Sequence, residues 1–322
     1  VQGELDGEIF MTPLSKKIIT TLAYYDVMDY PMTAFEVWKY LISDHETASS
    51  EQEKIKLLDI IKELKDEELR KKIDQYRGYY FLKGRQGLVI QRIERNKIAE
   101  KKFKTTRRVV RLLRFVPYVR MVAATGTLAM KNTQRKSDLD LLVVLKHNHI
   151  FTGRTLVTLA THLLGVRRYG DKIRNRICLN FFITDKSPEI NIKDLFSSSE
   201  YYFIWPMVGY EVFQEFQRTN DWIGGFRENY TPEESANLKL TEETDLSRFV
   251  KSIGEMIFSF KFIENWLKGW QTERIMKDPR THLPGAMVMA DDNVLIFLPK
   301  PQGPVVYGRF KEKLAAVEKG II

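Results

Sequence analysis

Cysteine is almost missing from this chain: Cys178 stands alone among 322 residues, so no internal disulfide can form. Long apolar runs are missing too. The most apolar helical stretch, FVKSIGEMIFSFKFIENWL, is broken by Lys251, Glu255, Lys261 and Glu264, so nothing approaches the run of about 18 apolar residues that crosses a bilayer. The opening VQGELDGEIFMTPLSKK lacks the basic-then-apolar order of a signal peptide. These absences predict a chain of the reducing cytoplasm with no membrane partner. What is present is ordinary for a globular protein: 43% hydrophobic and 12% aromatic residues, in a length that accommodates two or three domains.

Charge is abundant and uneven. The net charge is +9, and between Arg85 and Arg114 eleven Lys or Arg face only Glu94 and Glu100. That excess of nine equals the surplus of the whole chain, so one segment carries the bias. Ile90, Ile93, Phe103, Val110 and Leu113 fall near helical spacing, and no Gly or Pro intervenes between Gly87 and Pro117. Segment 85–114 therefore reads as one long or two abutting amphipathic helices, with either a solvated basic face or a phosphate-binding one.

Ahead of it, residues 14–27 have helical periodicity. A second helix is expected after Pro31, with Thr33 as N-cap and Glu36 three positions on, the capping-box pattern. A third is expected over EQEKIKLLDIIKELKDEEL (51–69), and KKIDQYRGYYFLKG reads as two strands around Arg77-Gly78. This order of three helices and a hairpin resembles a winged helix, a fold whose members bind DNA or protein partners.

Beyond Pro117 the pattern turns to strands. Val119–Ala124 leads into a small-residue turn at Thr125-Gly126-Thr127, a helix can open over Leu128–Lys131, and DLDLLVVL and RICLNFFIT are β-rich runs on either side of the helical FTGRTLVTLATHLLGV. A mixed α/β core is implied rather than a strict βαβ repeat. After Ser197 long aromatic-rich helices are expected, with Trp205, Trp222, Trp266 and Trp270 assigned to packing.

Two like charges interrupt one of these strands. In an extended chain Asp138 and Asp140 point the same way while Leu139 and Leu141 face the other side. Carboxylates held side by side repel one another unless a cation sits between them. A hard divalent ion, Mg²⁺ or Mn²⁺, suits oxygen donors. Upstream, the Gly126-Thr127 turn follows a strand and opens a helix, so its N–H groups and the Thr127 hydroxyl are placed to hold phosphate oxygens.

A strand, Gly126-Thr127, ten further residues and then Asp138-Leu139-Asp140 followed by Leu-Leu-Val-Val together resemble the signature of the DNA polymerase β-like nucleotidyltransferase superfamily. The resemblance covers about 70 residues from Val119. It implies a mixed-sheet core in which Gly126 and Thr127, with Lys136 and Arg176 nearby, contact the phosphates of an NTP, and in which Asp138 and Asp140 coordinate Mg²⁺. The implied reaction moves a nucleoside monophosphate from NTP to an acceptor hydroxyl on a nucleic acid, a protein or a small molecule.

In one respect the chain departs from that pattern. The later strand that carries a third carboxylate in this superfamily has Asn180 where the acid is expected. Simple alternation puts Asn180 on a side with Cys178 and Phe182 and predicts a buried amide bonded to a specific partner, either near the metal or in the core. If the third acid lies elsewhere, Asp171, Asp185 and Glu189 are nearest. The expected organisation is a winged-helix-like domain at 1–86, a basic connecting helix and nucleotidyltransferase core at 87–197, and a helical, aromatic-rich domain at 198–322. The alternative function is a nucleic-acid-binding or regulatory protein with a degenerate core, acting through the first domain and the basic segment.

Overall fold

A computed structural model describes residues 11–43, 54–232 and 240–321. Helix α1 (Pro13–Asp26) begins as its sequence requires: Thr12 accepts from the Ser15 N–H at 3.0 Å, and Pro13 sits where no donor is needed. Strand β1 (Met32–Thr33) runs directly into α2 (Ala34–Lys39). The capping box is complete there, with the Glu36 N–H donating to Thr33 Oγ1 at 3.2 Å and the Thr33 N–H to Glu36 Oε2 at 2.9 Å. Residues 51–53 of the third expected helix lie outside the described residues. The remainder divides into α3 (Leu57–Glu63) and α4 (Glu67–Arg70), because Asp66 restarts the chain as an N-cap, accepting from the Leu69 N–H at 2.9 Å.

Strands β2 (Ile73–Tyr76) and β3 (Tyr79–Leu82) form a hairpin whose turn residues, Arg77 (φ 50°) and Gly78 (φ 80°), both take the left-handed conformation of a two-residue hairpin turn. With β1 they make a three-stranded sheet in the order β1-β3-β2.

The basic segment is one helix, α5 (Gly87–Leu113), 27 residues long. Its cations divide by face. Arg92 is buried and donates to Glu36 Oε1 at 2.8 Å and to the Lys131 carbonyl at 3.1 Å. Arg95 reaches Asn132 Oδ1 at 3.2 Å, and Lys102 reaches the Ser137 carbonyl at 2.6 Å. On the opposite face Lys97, Lys101, Lys104, Arg108 and Arg111 are all exposed. At 100° per residue these five fall within about 80° of one another, a stripe about 21 Å long. The inward cations tie the chain around residues 130–137 to the N-terminal elements, and the outward ones do not take part in that packing.

A six-stranded sheet follows. Strand β4 (Val119–Ala124) leads through the single turn α6 (Gly126–Ala129) to β5 (Leu139–Leu145). Helix α7 (Ile150–Leu163) connects to β6 (Ile177–Thr184), and α8 (Leu195–Tyr202) precedes β7 (Trp205–Val208). After α9 (Tyr210–Thr219), α10 (Asp245–Ile257) and α11 (Lys261–Met276) come β8 (Met287–Ala290), β9 (Val294–Leu298) and α12 (Gly303–Glu318). Strand order is β7-β4-β5-β6-β9-β8, with β5 and β6 parallel and the other pairs antiparallel. The protein is thus mixed α/β with a mixed sheet. Leu141, Val143 and Leu145 pack on one face with Phe103 of α5, Phe151 of α7 and Leu267 of α11. Leu142 and Val144 pack on the other with Phe213 and Phe216 of α9.

Residues beyond 198 depart from the helical expectation. They supply β7 to one edge of the sheet and β8 and β9 to the other, while Phe310 and Val317 of α12 join the cluster around α1. WPMV, MVMA and VLIFL are four- or five-residue runs, too short for periodicity to separate strand from helix. The tryptophans also differ from expectation. Trp266 is 67% exposed and Trp270 46%, because α11 docks through Glu264, Leu267, Gln271 and Ile275 and turns its indoles outward. Trp205 and Trp222 are half-buried. Among the described residues no helix is long and apolar enough to cross a membrane.

Arg227 is 1% exposed and packs against the rings of Tyr24 and Tyr25. It donates to the Tyr40 carbonyl at 2.9 Å, the Leu195 carbonyl at 3.3 Å and Ser198 Oγ at 3.2 Å. Arg227→Leu leaves the Tyr40 carbonyl without its donor, while the Leu195 carbonyl keeps the Ser198 and Ser199 hydroxyls, so the expected loss is about 1–3 kcal/mol. The urea midpoint of the variant measures it.

Candidate active site

The acid pair stands at the N-terminal end of β5, where the sheet holds it from both sides. The Leu139 N–H donates to the Arg176 carbonyl at 2.9 Å, and the Thr125 N–H to the Asp140 carbonyl at 3.1 Å. Gly126 has φ +58°, and a Cβ there would lie 3.3 Å from Asp140 Oδ2. Glycine therefore permits both the left-handed turn and the approach of the carboxylate to it. Across the parallel ladder Asp140 is opposite Cys178. One donor atom from each of Asp138, Asp140 and Cys178 can be chosen so that all lie within 4.8 Å of one another.

The two acids have different neighbours. Burial, and then the neighbouring charge of Asp138, push the Asp140 carboxyl up to about 6. Asp138 is instead met by the Arg168 guanidinium, which forms an ion pair with its Oδ2 and lies 3.6 Å from Cys178 Sγ. Arg168 comes from residues 164–176, a segment held along the start of β6 where the Arg168 N–H donates to the Ile177 carbonyl at 2.9 Å. Burial and the charges of Asp140 and Asp138 push the Cys178 thiol up to about 12, so it stays protonated and hydrogen-bonds to Asp140. The site thus offers two hard carboxylate donors beside one soft sulfur. The carboxylate pair suits a hard divalent ion such as Mg²⁺ or Mn²⁺, which would have to displace the Arg168 guanidinium or share Asp138 with it.

The remaining residues singled out in the sequence are distributed unevenly. Thr127 is exposed on the turn beside Gly126, and its carbonyl accepts from the Asn132 N–H at 2.9 Å. Lys136 is exposed two residues before Asp138. Arg176 is half-buried and holds the strand start through its carbonyl rather than through its guanidinium.

Asn180 is half-buried rather than buried, for an identifiable reason. Asp140 pairs with Cys178 but Leu142 pairs with Phe181, so Leu179 and Asn180 together oppose Leu141 in a β-bulge. The bulge inverts the alternation, and Phe182 packs with Leu141 and Val143 on the opposite face from Phe181. Of the other acids, Asp185 accepts from the His147 N–H at 2.8 Å at the far end of β6, about 20 Å along the strand. Glu189 pairs with Lys193 on the surface, and Asp171 is exposed.

Three residues near the pair were not singled out. Lys102 of α5, buried beneath Ser137, has its ammonium lowered by burial against the opposing effect of Asp138. Glu200 of α8 is pushed up to about 7, first by burial and then by the charge of Asp140. Arg168 is the third. A basic loop before a strand was the only signal for Arg168, and Glu200 sits in a helix whose aromatic composition pointed to packing.

Beside Lys102 opens a cleft of about 510 Å³ lined by Lys97, Lys101, Arg135, Arg174 and Asn175, with Glu94 as its acid. Lys97 and Lys101 are also the first two cations of the α5 stripe, so stripe and cleft form one basic surface that ends beside the acid pair. A larger cavity of about 1110 Å³, between α1, α8 and α12, contains none of these residues. Comparison with protein-family models, with curated proteins and with solved structures found no match.

Proposed function

We propose that this chain is a divalent-metal-dependent nucleotidyltransferase acting on a nucleic acid acceptor. The observation that carries this reading is the convergence of Asp138 and Asp140 on one another beside the left-handed Gly126 turn. Asp138 and Asp140 would hold the ion and the Gly126-Thr127 turn would meet the phosphates of an NTP, with Lys136 at its margin. A bound Mg²⁺ would neutralise triphosphate charge and lower the pKa of the attacking hydroxyl. Glu200, pushed up to about 7, has the proton affinity of a group able to exchange protons near neutral pH.

The acceptor class follows from the exposed cations of α5 and the cleft beside them, which suit the phosphodiester backbone of a strand whose end reaches the acid pair. The N-terminal elements, with their three-stranded sheet packed on α1 to α4, suit the winged-helix reading as a further nucleic acid contact.

Incubation with each labelled NTP and Mg²⁺, with and without RNA, tests the reading. Incorporation of label into RNA supports it, and no transfer from any NTP to any acceptor overturns it. A second reading is favoured by Arg168, whose guanidinium fills the place of a cation: the core has lost catalysis and the protein binds nucleic acid through the basic surface. Both readings share one expectation. RNA binding weakens steeply with salt, and Lys97→Glu with Lys101→Glu and Arg108→Glu lowers the log–log salt slope by about 3, one counterion per lost phosphate contact. Filter binding at several salt concentrations measures it. An unchanged slope returns the stripe to a solvated helix face.

A further inference from the structure

Helix α10 is turned inside out. The side that meets the body is polar: Ser247 and Lys251 are buried, and Lys251 Nζ reaches Glu243 Oε1 at 2.5 Å. Glu255 accepts from Arg120 at 2.8 Å and from Lys146 at 3.2 Å. Glycine at 254 brings the helix close, since a Cβ there would lie 2.3 Å from Pro117 Cγ. The side that faces water is apolar. Leu246, Phe249, Ile253, Met256 and Ile257 are each between 38% and 69% exposed, at the i, i+3, i+7 spacing of one helix face.

Helix α11 continues the same surface. Glu264 anchors it by accepting from the N–H groups of Phe151 and Thr152, each at 2.9 Å. Phe262, Trp266 and Trp270 face out, 69%, 67% and 46% exposed. Phe260, just ahead of α11, is 57% exposed with its ring 5.9 Å from that of Phe262, and the two indoles are 6.5 Å apart and 6° from parallel, so exposed apolar side chains continue along the chain from α10 into α11.

We propose that this α10–α11 face is the interface of a homodimer, covered by the same face of a second copy. Area is the first argument. Nine large side chains exposing roughly 100 Å² each offer about 900 Å², against the about 800 Å² per partner of a standard interface. An exposed apolar patch of that size is uncommon on a monomer. Charge is the second. At the rim Arg248 pairs with Asp245, Lys277 with Glu273 and Lys268 with Asp292, all within the protomer. The other exposed cations of α11 are Lys261 and Arg274; Arg274 lies over the Trp270 ring of its own chain, so the charged rim is engaged mainly within the protomer and a twofold-related copy need supply no opposite charge. Composition is the third: Trp, Phe and Met are the residues enriched in buried interface centres.

Sedimentation velocity of the full chain from about 1 to about 100 μM tests this. The wild type is expected as a dimer across most of that range. Phe249→Glu with Trp266→Glu, both exposed positions, is expected to raise the dissociation constant by a factor of about 100 or more while the circular dichroism and thermal midpoint hold. Leu163→Glu, at an exposed site on α7, is the control and leaves the dimer intact. Independently of any variant, tryptophan emission of the wild type shifts to the blue as concentration rises and the indoles leave water. A wild type that is monomeric at the highest concentration, a dimer that survives the double substitution, or association without an emission shift each overturns the proposal. Monomers that co-sediment with phosphatidylserine vesicles assign the face to a lipid surface instead.

Discussion

Asp140→Asn is expected to reduce Mg²⁺-dependent nucleotidyl transfer by a factor of about 10³ or more and to raise the stability of the metal-free protein. The two effects have one cause. Burial and the charge of Asp138 hold the Asp140 carboxyl at about 6, above its ordinary value. The folded protein therefore binds a proton that the unfolded chain has released, and stability falls as pH rises from about 4 to about 6. Asparagine removes that cost. Its amide also needs partners, so the net gain at pH 7 is about 1–2 kcal/mol rather than the whole of the shift. Thermal unfolding in EDTA at pH 4 and pH 7 checks the sign, because the gain should be small at the lower pH and full at the higher. A variant less stable than wild type at pH 7 would mean that ionised Asp140 has a partner in the absence of metal. Asp138→Asn is expected to behave differently, since Asp138 already has Arg168 and its loss strands an exposed guanidinium.

Arg168→Ala is the second large effect. The guanidinium neutralises Asp138 from a side chain that is 42% exposed, so a metal ion must displace it or share its charge. A half-exposed pair of this kind contributes up to about 1 kcal/mol, and its removal also leaves the pair one unit more negative. Mg²⁺ affinity measured by titration calorimetry, without nucleotide, should therefore rise about three- to tenfold. Arg168→Lys, which keeps the charge but not the planar fork, should fall between wild type and alanine. If Mg²⁺ affinity drops in Arg168→Ala, the arginine positions Asp138 for the metal rather than competing with it.

Local elements were legible wherever a short-range rule determines them. The Thr33-Glu36 capping box and the Arg77-Gly78 hairpin turn are set by residues within four positions of one another. The strands around Asp138 and Asp140 follow from alternation, and the facing of the two acids needs nothing beyond the pleat. Asn180 marks where that reasoning stops. Its side is set by a bulge that exists only when β6 is laid against β5, and no count along the chain reveals the inserted residue.

The sequence by itself determined the acid pair, the glycine turn before it and the concentration of positive charge in residues 85–114, because each is a matter of residue type and spacing. Only the tertiary structure decided what surrounds them. Arg92, Arg95 and Lys102 turned inward to Glu36, Asn132 and the Ser137 carbonyl, and left the other α5 face as a stripe. Arg168 was brought back over Asp138 from 30 residues further along the chain. The tryptophans of α11 were sent outward for the same reason. A helix carrying both carboxylates and aromatics can bury either side, and the choice fell to Glu264, which found the N–H groups of Phe151 and Thr152. Which face of an amphipathic helix meets the core depends on partners distant in sequence, and their energies enter only when the elements pack.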